Sequence, residues 1–199
     1  MKPVTLGAAA VATTASPDMY TIDINGVQLF AGGLVDGLIM KDNLPELQKC
    51  LGDVKTVAPD VQKIVNELAK GDLSDVIAGI KDAVALIQAL PTDFKQCENV
   101  QDDLTKLKTW GNEFITPEGE IKIAENVMAN WANIQTDIGT INSDMQSEQY
   151  VEAGETAADV VIIALGKLET PAPEVAYLYW VDWPGYPQFI WTYKYLSIW

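Results

Sequence analysis

The chain has 199 residues, 48% of them hydrophobic, and a formal net charge of −15 with no His; its 13 positive residues are all Lys. This balance excludes a nucleic-acid binder, because affinity there comes from cationic neutralisation of phosphate, and it excludes charge-driven recognition of anionic membrane surfaces. Without His the usual general base, metal ligand and neutral-pH switch are missing, and without Arg so are bidentate grips on carboxylate or phosphate; neither an enzyme nor a cofactor or metal site is expected.

Residues 1–15 open Met-Lys and continue with an apolar, Ala-rich run ending in Ala10-Val11-Ala12, a candidate signal peptide with a small-residue cleavage pattern. No later run reaches the roughly 18 continuous apolar residues of a spanning helix. Tyr20, Ile22 and Ile24 alternate with Thr21 and Asp23 ahead of Asn25-Gly26, which predicts a short strand over 19–24 and a turn. Val27 to Met40 is rich in Leu and Gly. If it is helical, Gly33 and Gly37 share a face and let another backbone come close.

Asn43 followed by Leu44-Pro45 starts the clearest helix. Leu44, Leu47, Leu51, Val54, Ala58, Val61, Val65 and Leu68 recur in alternating steps of three and four, a heptad stripe that Pro59 should kink or split near Ala58. Lys70-Gly71-Asp72 supplies a Gly stop and an Asp start. The next helix runs over 73–90 with Leu73, Val76, Ile77, Ile80, Val84 and Ile87 inward, and Pro91 stops it. A helix over 93–115 carries Phe94, Cys97, Leu104, Leu107, Trp110 and Phe114 and is broken by Thr116-Pro117. A long helix over 118–145 follows, with Ile123, Val127, Trp131, Ile134, Ile138, Ile141 and Met145 inward; Trp110 and Trp131 are expected in the core. Ser147 should cap a last helix over 148–165 that Gly166 ends. Both halves read as a long helix, a tight turn and a shorter helix, which makes two antiparallel hairpins.

Asp102-Asp103 and Glu118 with Glu120 read as solvated helix surface, and Ser74, Ser143 and Ser147 have no His to activate them. Cys50 and Cys97 fit no zinc or CxxC spacing. They are buried thiols in a reducing compartment or a bridge in an oxidising one. Such a bridge would staple neighbouring helices and stabilise by roughly 3–5 kcal/mol in the chain-entropy model.

Thr170-Pro171-Ala172-Pro173 is a linker, and the chain after it changes character. Tyr177, Tyr179, Trp180, Trp183, Tyr186, Phe189, Trp191, Tyr193, Tyr195 and Trp199 crowd a stretch whose only charges after Glu174 are Asp182 and Lys194. Pro184-Gly185-Tyr186-Pro187 reads as a turn between two extended segments. In the second segment Phe189, Trp191, Tyr193 and Tyr195 alternate with Ile190, Thr192, Lys194 and Leu196, the period of a strand. A lone two-stranded hairpin is marginal in water, so this tail must dock on its own body, enter another protomer or lie at a membrane interface, the last being least favoured.

The succession Gly32-Gly33-Leu34-Val35-Asp36-Gly37, Leu47 to Cys50, Lys70-Gly71-Asp72 to Gly79, Leu90-Pro91, Cys97, Leu107-Lys108-Thr109-Trp110 with Phe114 and Pro117, Gly154 and Leu165-Gly166-Lys167 resembles a large family of small secreted helical proteins of ciliates and related protists. The resemblance spans roughly 27–167. It implies secretion and a Cys50–Cys97 bridge, and it supplies no catalytic residues; the aromatic tail departs from its pattern. The expected architecture is therefore mainly α. A candidate signal peptide over 1–15 precedes a bundle of five to six helices in antiparallel hairpins over 16–168, and a linker with an aromatic extended tail follows over 169–199. The expected function is that of a secreted, non-enzymatic structural or interaction protein that associates with itself or another extracellular protein through the tail. The alternative is a carrier of lipid or other apolar ligands in a helical cleft, with saposin-like behaviour. Its place is outside the cell or in the secretory-pathway lumen.

Overall fold

A computed structural model describes residues 20–39, 45, 55–95, 98–168, 175–181 and 188–194. The chain divides into two compact units, Met1–Lys167 and Leu168–Trp199. The first is helical. Among its described residues are α1 (Ile24–Ile39), α2 (Ala58–Lys70), α3 (Leu73–Asp93), α4 (Gln101–Gly111), α5 (Pro117–Ala129), α6 (Trp131–Gln146) and α7 (Tyr150–Leu165), with 3-10 turns at Glu98–Val100 and Asn112–Phe114.

The start of α1 corrects the strand expected over 19–24. Asp23 caps the helix instead: its side-chain Oδ1 accepts from Gly26 N at 2.7 Å and its carbonyl accepts from Val27 N at 2.9 Å. A short carboxylate that satisfies free amides of a first turn outweighs a few residues of alternation. Asn25-Gly26 thus lies inside the helix rather than in a hairpin turn.

α2 begins at Ala58 after a turn over 55–57, with Pro59 in its first turn, where a missing N–H costs nothing, and the heptad stripe continues past it through Val61, Val65 and Leu68. Residues 46–54, which carry the earlier part of that stripe, lie outside the described residues. Gly71 closes α2 at φ 73°, its N–H donating to the Leu68 carbonyl at 3.2 Å, a left-handed glycine cap that ends the helix and lets the chain change course before α3.

Pro91 does not stop α3, which runs on to Asp93. The ring removes one donor near the helix end, but Phe94 N still reaches the Leu90 carbonyl at 2.9 Å, and Leu90 and Phe94 are both buried. Packing thereby outweighs a single lost bond. The helix expected from 93 starts only at Gln101, whose side-chain amide donates to the Phe94 carbonyl at 2.6 Å and links the two segments.

The single helix expected over 118–145 is two, which takes the count to seven among the described residues. Asn130 interrupts it at φ −111°, its side-chain amide donating to the Asn126 carbonyl at 2.9 Å. Asn competes for backbone partners in this way and favours helix ends. Ser147 is a second correction: it closes α6 instead of opening α7, its N–H donating to the Ser143 carbonyl at 3.1 Å. Glu148, between the two helices, takes a left-handed φ of 58°. Thr116 caps α5 by accepting from Gly119 N at 3.0 Å, and Gly166 ends α7 as expected, at φ 89°.

The interior is mostly aliphatic with a few aromatic rings, among them Phe30 and Phe94, and no polar residue is buried among those described. α7 lies at its centre and packs on α1, α6, α5 and α3, while α2 lies along α3. Its Ala153, Ala157, Ala158, Val160, Val161 and Ala164 are all fully covered. Val61, Val65, Leu68, Val76, Ile80, Val84, Ile87, Leu104, Leu107, Ile123, Val127, Ile134, Ile138, Ile141 and Met145 are buried as the periodicity requires. Trp110 and Phe114 are buried edge to face, with ring centres 5.7 Å apart. Trp131 and Ile77 are only half-buried and Leu73 is 39% exposed, since each sits at or beside the edge of its helix's apolar stripe.

The contact that spacing alone did not pair is α1 with α7. Gly33 and Gly37 share a face, as expected of a helix, and that face is pressed on α7: a Cβ at residue 33 would lie 2.2 Å from the Val151 carbonyl oxygen, and one at 37 would lie 2.7 Å from Ala158 Cβ.

The second unit contains a two-stranded antiparallel sheet, β1 (Val175–Val181) with β2 (Gln188–Lys194).

Candidate interaction site

The sheet register sets Trp180 opposite Phe189, Leu178 opposite Trp191 and Ala176 opposite Tyr193, while Tyr177 faces Thr192 and Tyr179 faces Ile190. Directly opposed residues of an antiparallel pair share a face. Residues 176, 178, 180, 189, 191 and 193 therefore form one side of the ribbon, and both sides hold aromatic positions. Six of the ten aromatic residues singled out in the sequence, Tyr177, Tyr179, Trp180, Phe189, Trp191 and Tyr193, are brought into this one ribbon. Trp183, Tyr186, Tyr195 and Trp199 lie outside the described residues, as do Cys50 and Cys97. With only two strands in the sheet, each strand keeps one edge without a partner strand among the described residues. Such edges are ready templates for another strand.

The helical unit offers less chemistry. Among the described residues no group of three or more His, Cys, Asp or Glu is placed to hold a metal, and no helix is long and apolar enough to cross a membrane. Asp102 and Asp103 fall in the first turn of α4 and Glu118 and Glu120 in that of α5, where carboxylates complement the helix dipole. Asp103 also meets Lys106 at 3.1 Å, and Glu120 meets Lys81 at 2.6 Å. On α7 burial raises the Glu155 pKa, and Asp36, Glu152 and Asp159 add to the rise; Asp137 is raised by burial and by Asp159.

Two polar features of the helical unit escaped the sequence reading. Gln62 of α2 ties down the lead-in to α1, its Oε1 accepting from Ile22 N at 2.9 Å and its Nε2 donating to the Tyr20 carbonyl. Tyr20 in turn donates through its hydroxyl to the Asn142 carbonyl at 3.2 Å. Lys63, Glu67 and Asp82 meet across α2 and α3, with Lys63 Nζ 2.7 Å from Asp82 Oδ1. A polar residue beside an apolar stripe reads as surface, and only the fold reveals its partner.

Fold and ribbon together define a mainly helical protein that bears a short aromatic β-ribbon after its last helix. The chain belongs to the Secreted protein B-like (SctB-like) family, whose model matches residues 11–166. Membership places it among secreted proteins. The match ends at Gly166, so the ribbon lies beyond it. No curated protein and no solved structure gives a significant match.

Proposed function

We propose that this is a secreted, non-enzymatic interaction protein that self-associates through its C-terminal ribbon outside the cell. The observation that carries this reading is the two-stranded sheet of β1 and β2, with aromatic positions on both sides and, among the described residues, no partner strand on the outer edge of either strand. A ribbon of that size is marginal by itself, and strand addition from a second copy satisfies its edges with main-chain hydrogen bonds. The ribbon is also a separate compact unit lying outside the family match, which suits an attachment added to a shared helical body. In that body we read the hairpins α2–α3 and α6–α7 as antiparallel pairs of one bundle. Secretion exposes the chain to oxidising conditions, and under these we assign Cys50 and Cys97 to a disulfide.

Sedimentation of the full chain and of a chain ending at Leu168 tests the reading. The full chain is expected to associate in a concentration-dependent manner and the shortened one to remain a folded helical monomer. Unchanged association after the deletion would overturn it. Intact mass before and after reduction reports the disulfide through the gain of two hydrogens.

A further inference from the structure

The contact between α2 and α3 contains an unusual pair of carboxyl groups. Glu67 lies against α3, where a Cβ added to Gly79 would come 3.3 Å from Glu67 Cβ, and one turn further along that helix Glu67 meets Asp82. Asp82 Oδ1 is already held by Lys63 Nζ at 2.7 Å. Asp82 Oδ2 and Glu67 Oε2 are both buried and find no donor among the described residues. Two ionised carboxylates cannot satisfy one another, because each only accepts. A single proton between them turns the same contact into an O–H···O⁻ bond, among the stronger kinds of hydrogen bond.

We propose that Glu67 and Asp82 share one proton and so form an acid-strengthened clasp between α2 and α3, which loosens as the pH rises. The charges that face Glu67 are consistent with this assignment. Burial raises its pKa most, followed by the hydrogen bond and the charge of Asp82 on α3, while Lys63 and Lys70 on its own helix act in the opposite direction. Lys70 is drawn partly away by Asp75, 3.0 Å distant. Of the acids on α1 and α6, the other helices against α2, Asp36 and Asp137 act on or beside α7, and Asp144 sits in the last turn of α6.

The direction of the pH effect follows. A carboxyl whose pKa is higher in the folded than in the unfolded chain binds extra protons when folded, so its contribution is complete below the ordinary glutamate value of 4.5 and is lost as the pH rises through the folded value. Placed in a secreted protein, the clasp would make this hairpin firmer in a mildly acidic lumen than at neutral pH outside.

Two measurements on the full chain test the clasp. The first is a carbon-detected NMR titration of the Glu67 carboxyl, alone and in Asp82→Asn. The midpoint is expected above the ordinary glutamate range in the parent chain and lower in the variant, whose amide donates to ionised Glu67. The second compares melting temperatures of the parent and Glu67→Gln. The glutamine amide donates to Asp82 Oδ2 at every pH, so the variant should melt higher near neutrality, by about 2–4 °C, and the gap should close towards about pH 5. A Glu67 midpoint at the ordinary value, a midpoint that Asp82→Asn leaves in place, or a gap independent of pH would each overturn the proposal. The NMR arm stands on the parent chain even if a variant fails to fold.

Discussion

Gly154 of α7 rests directly on the backbone of α1: a Cβ at residue 154 would lie 2.2 Å from the carbonyl oxygen of Phe30 and 2.8 Å from the amide nitrogen of Leu34. Gly33 makes the reciprocal contact on the Val151 carbonyl. The first and last helices of the described fold thus meet backbone to backbone, each through a glycine of its own. Neither obstacle is the flexible end of a side chain, so neither can move aside without shifting a helix.

Gly154→Ala is therefore expected to destabilise the protein by about 1–3 kcal/mol or more, the cost of overpacking a filled interior. Thermal unfolding followed by circular dichroism measures it. A melting temperature equal to that of the parent chain would mean that α1 and α7 do not approach this closely.

Gly139 makes the opposite case. It lies on the exposed side of α6, and a Cβ there meets nothing within 4 Å. Gly139→Ala removes backbone freedom from the unfolded chain and adds a better helix former, so it should stabilise by about 0.5–1 kcal/mol. Chemical denaturation should show a higher midpoint at unchanged slope.

Gln62 holds both the Ile22 amide and the Tyr20 carbonyl. Gln62→Ala leaves a covered amide without its acceptor, at a cost of about 1–3 kcal/mol. Loss should be local first, seen as faster hydrogen exchange at Ile22 with little change in the core of α7. Exchange at Ile22 as slow as in the parent chain would assign that amide another acceptor.

Glu155 sits on α7 where its backbone meets α1 at Gly37, and partial desolvation there, then Asp36, then Glu152 and Asp159 raise its pKa. The folded chain binds the proton more tightly than the unfolded one, so this stability is complete below the ordinary value of 4.5 and is lost as the pH rises through the folded one. Glu155→Gln should raise the melting temperature at neutral pH by on the order of 1–2 °C. Acid should narrow the gap by neutralising the parent's Glu155, and salt should narrow it by screening exposed charge beyond a Debye length of about 10 Å at 0.1 M. A gap insensitive to both would mean that charge is not its cause.

Much of the helical unit was legible because its signals are local. Gly71 and Gly166 end their helices, Thr116-Pro117 divides two of them, and the stripe Val61, Val65 and Leu68 is buried. Where local signals competed, the sequence misled. Asp23 capping its own turn outweighed the alternation around it, Asn130 broke a run whose apolar spacing continues across it, and Pro91 was carried inside α3 by the buried neighbours on either side. For the candidate site, the aromatic content and the two extended segments were visible from residue types and period. The pairing of Trp180 with Phe189 was not, because register depends on which residues lie opposite one another.

The sequence by itself determined that this chain is acidic and helical, where several of its helices begin or end, and that its residue types change to aromatic after Thr170-Pro171-Ala172-Pro173. Each of these rests on interactions within a few residues, namely caps, prolines, glycines and apolar period. Only the tertiary structure decided that α1 lies on α7, that Glu67 meets Asp82 and that Gln62 holds the lead-in to α1. Those partners are far apart along the chain, and what joins them is the close fit of particular backbones and side chains, which no local pattern records.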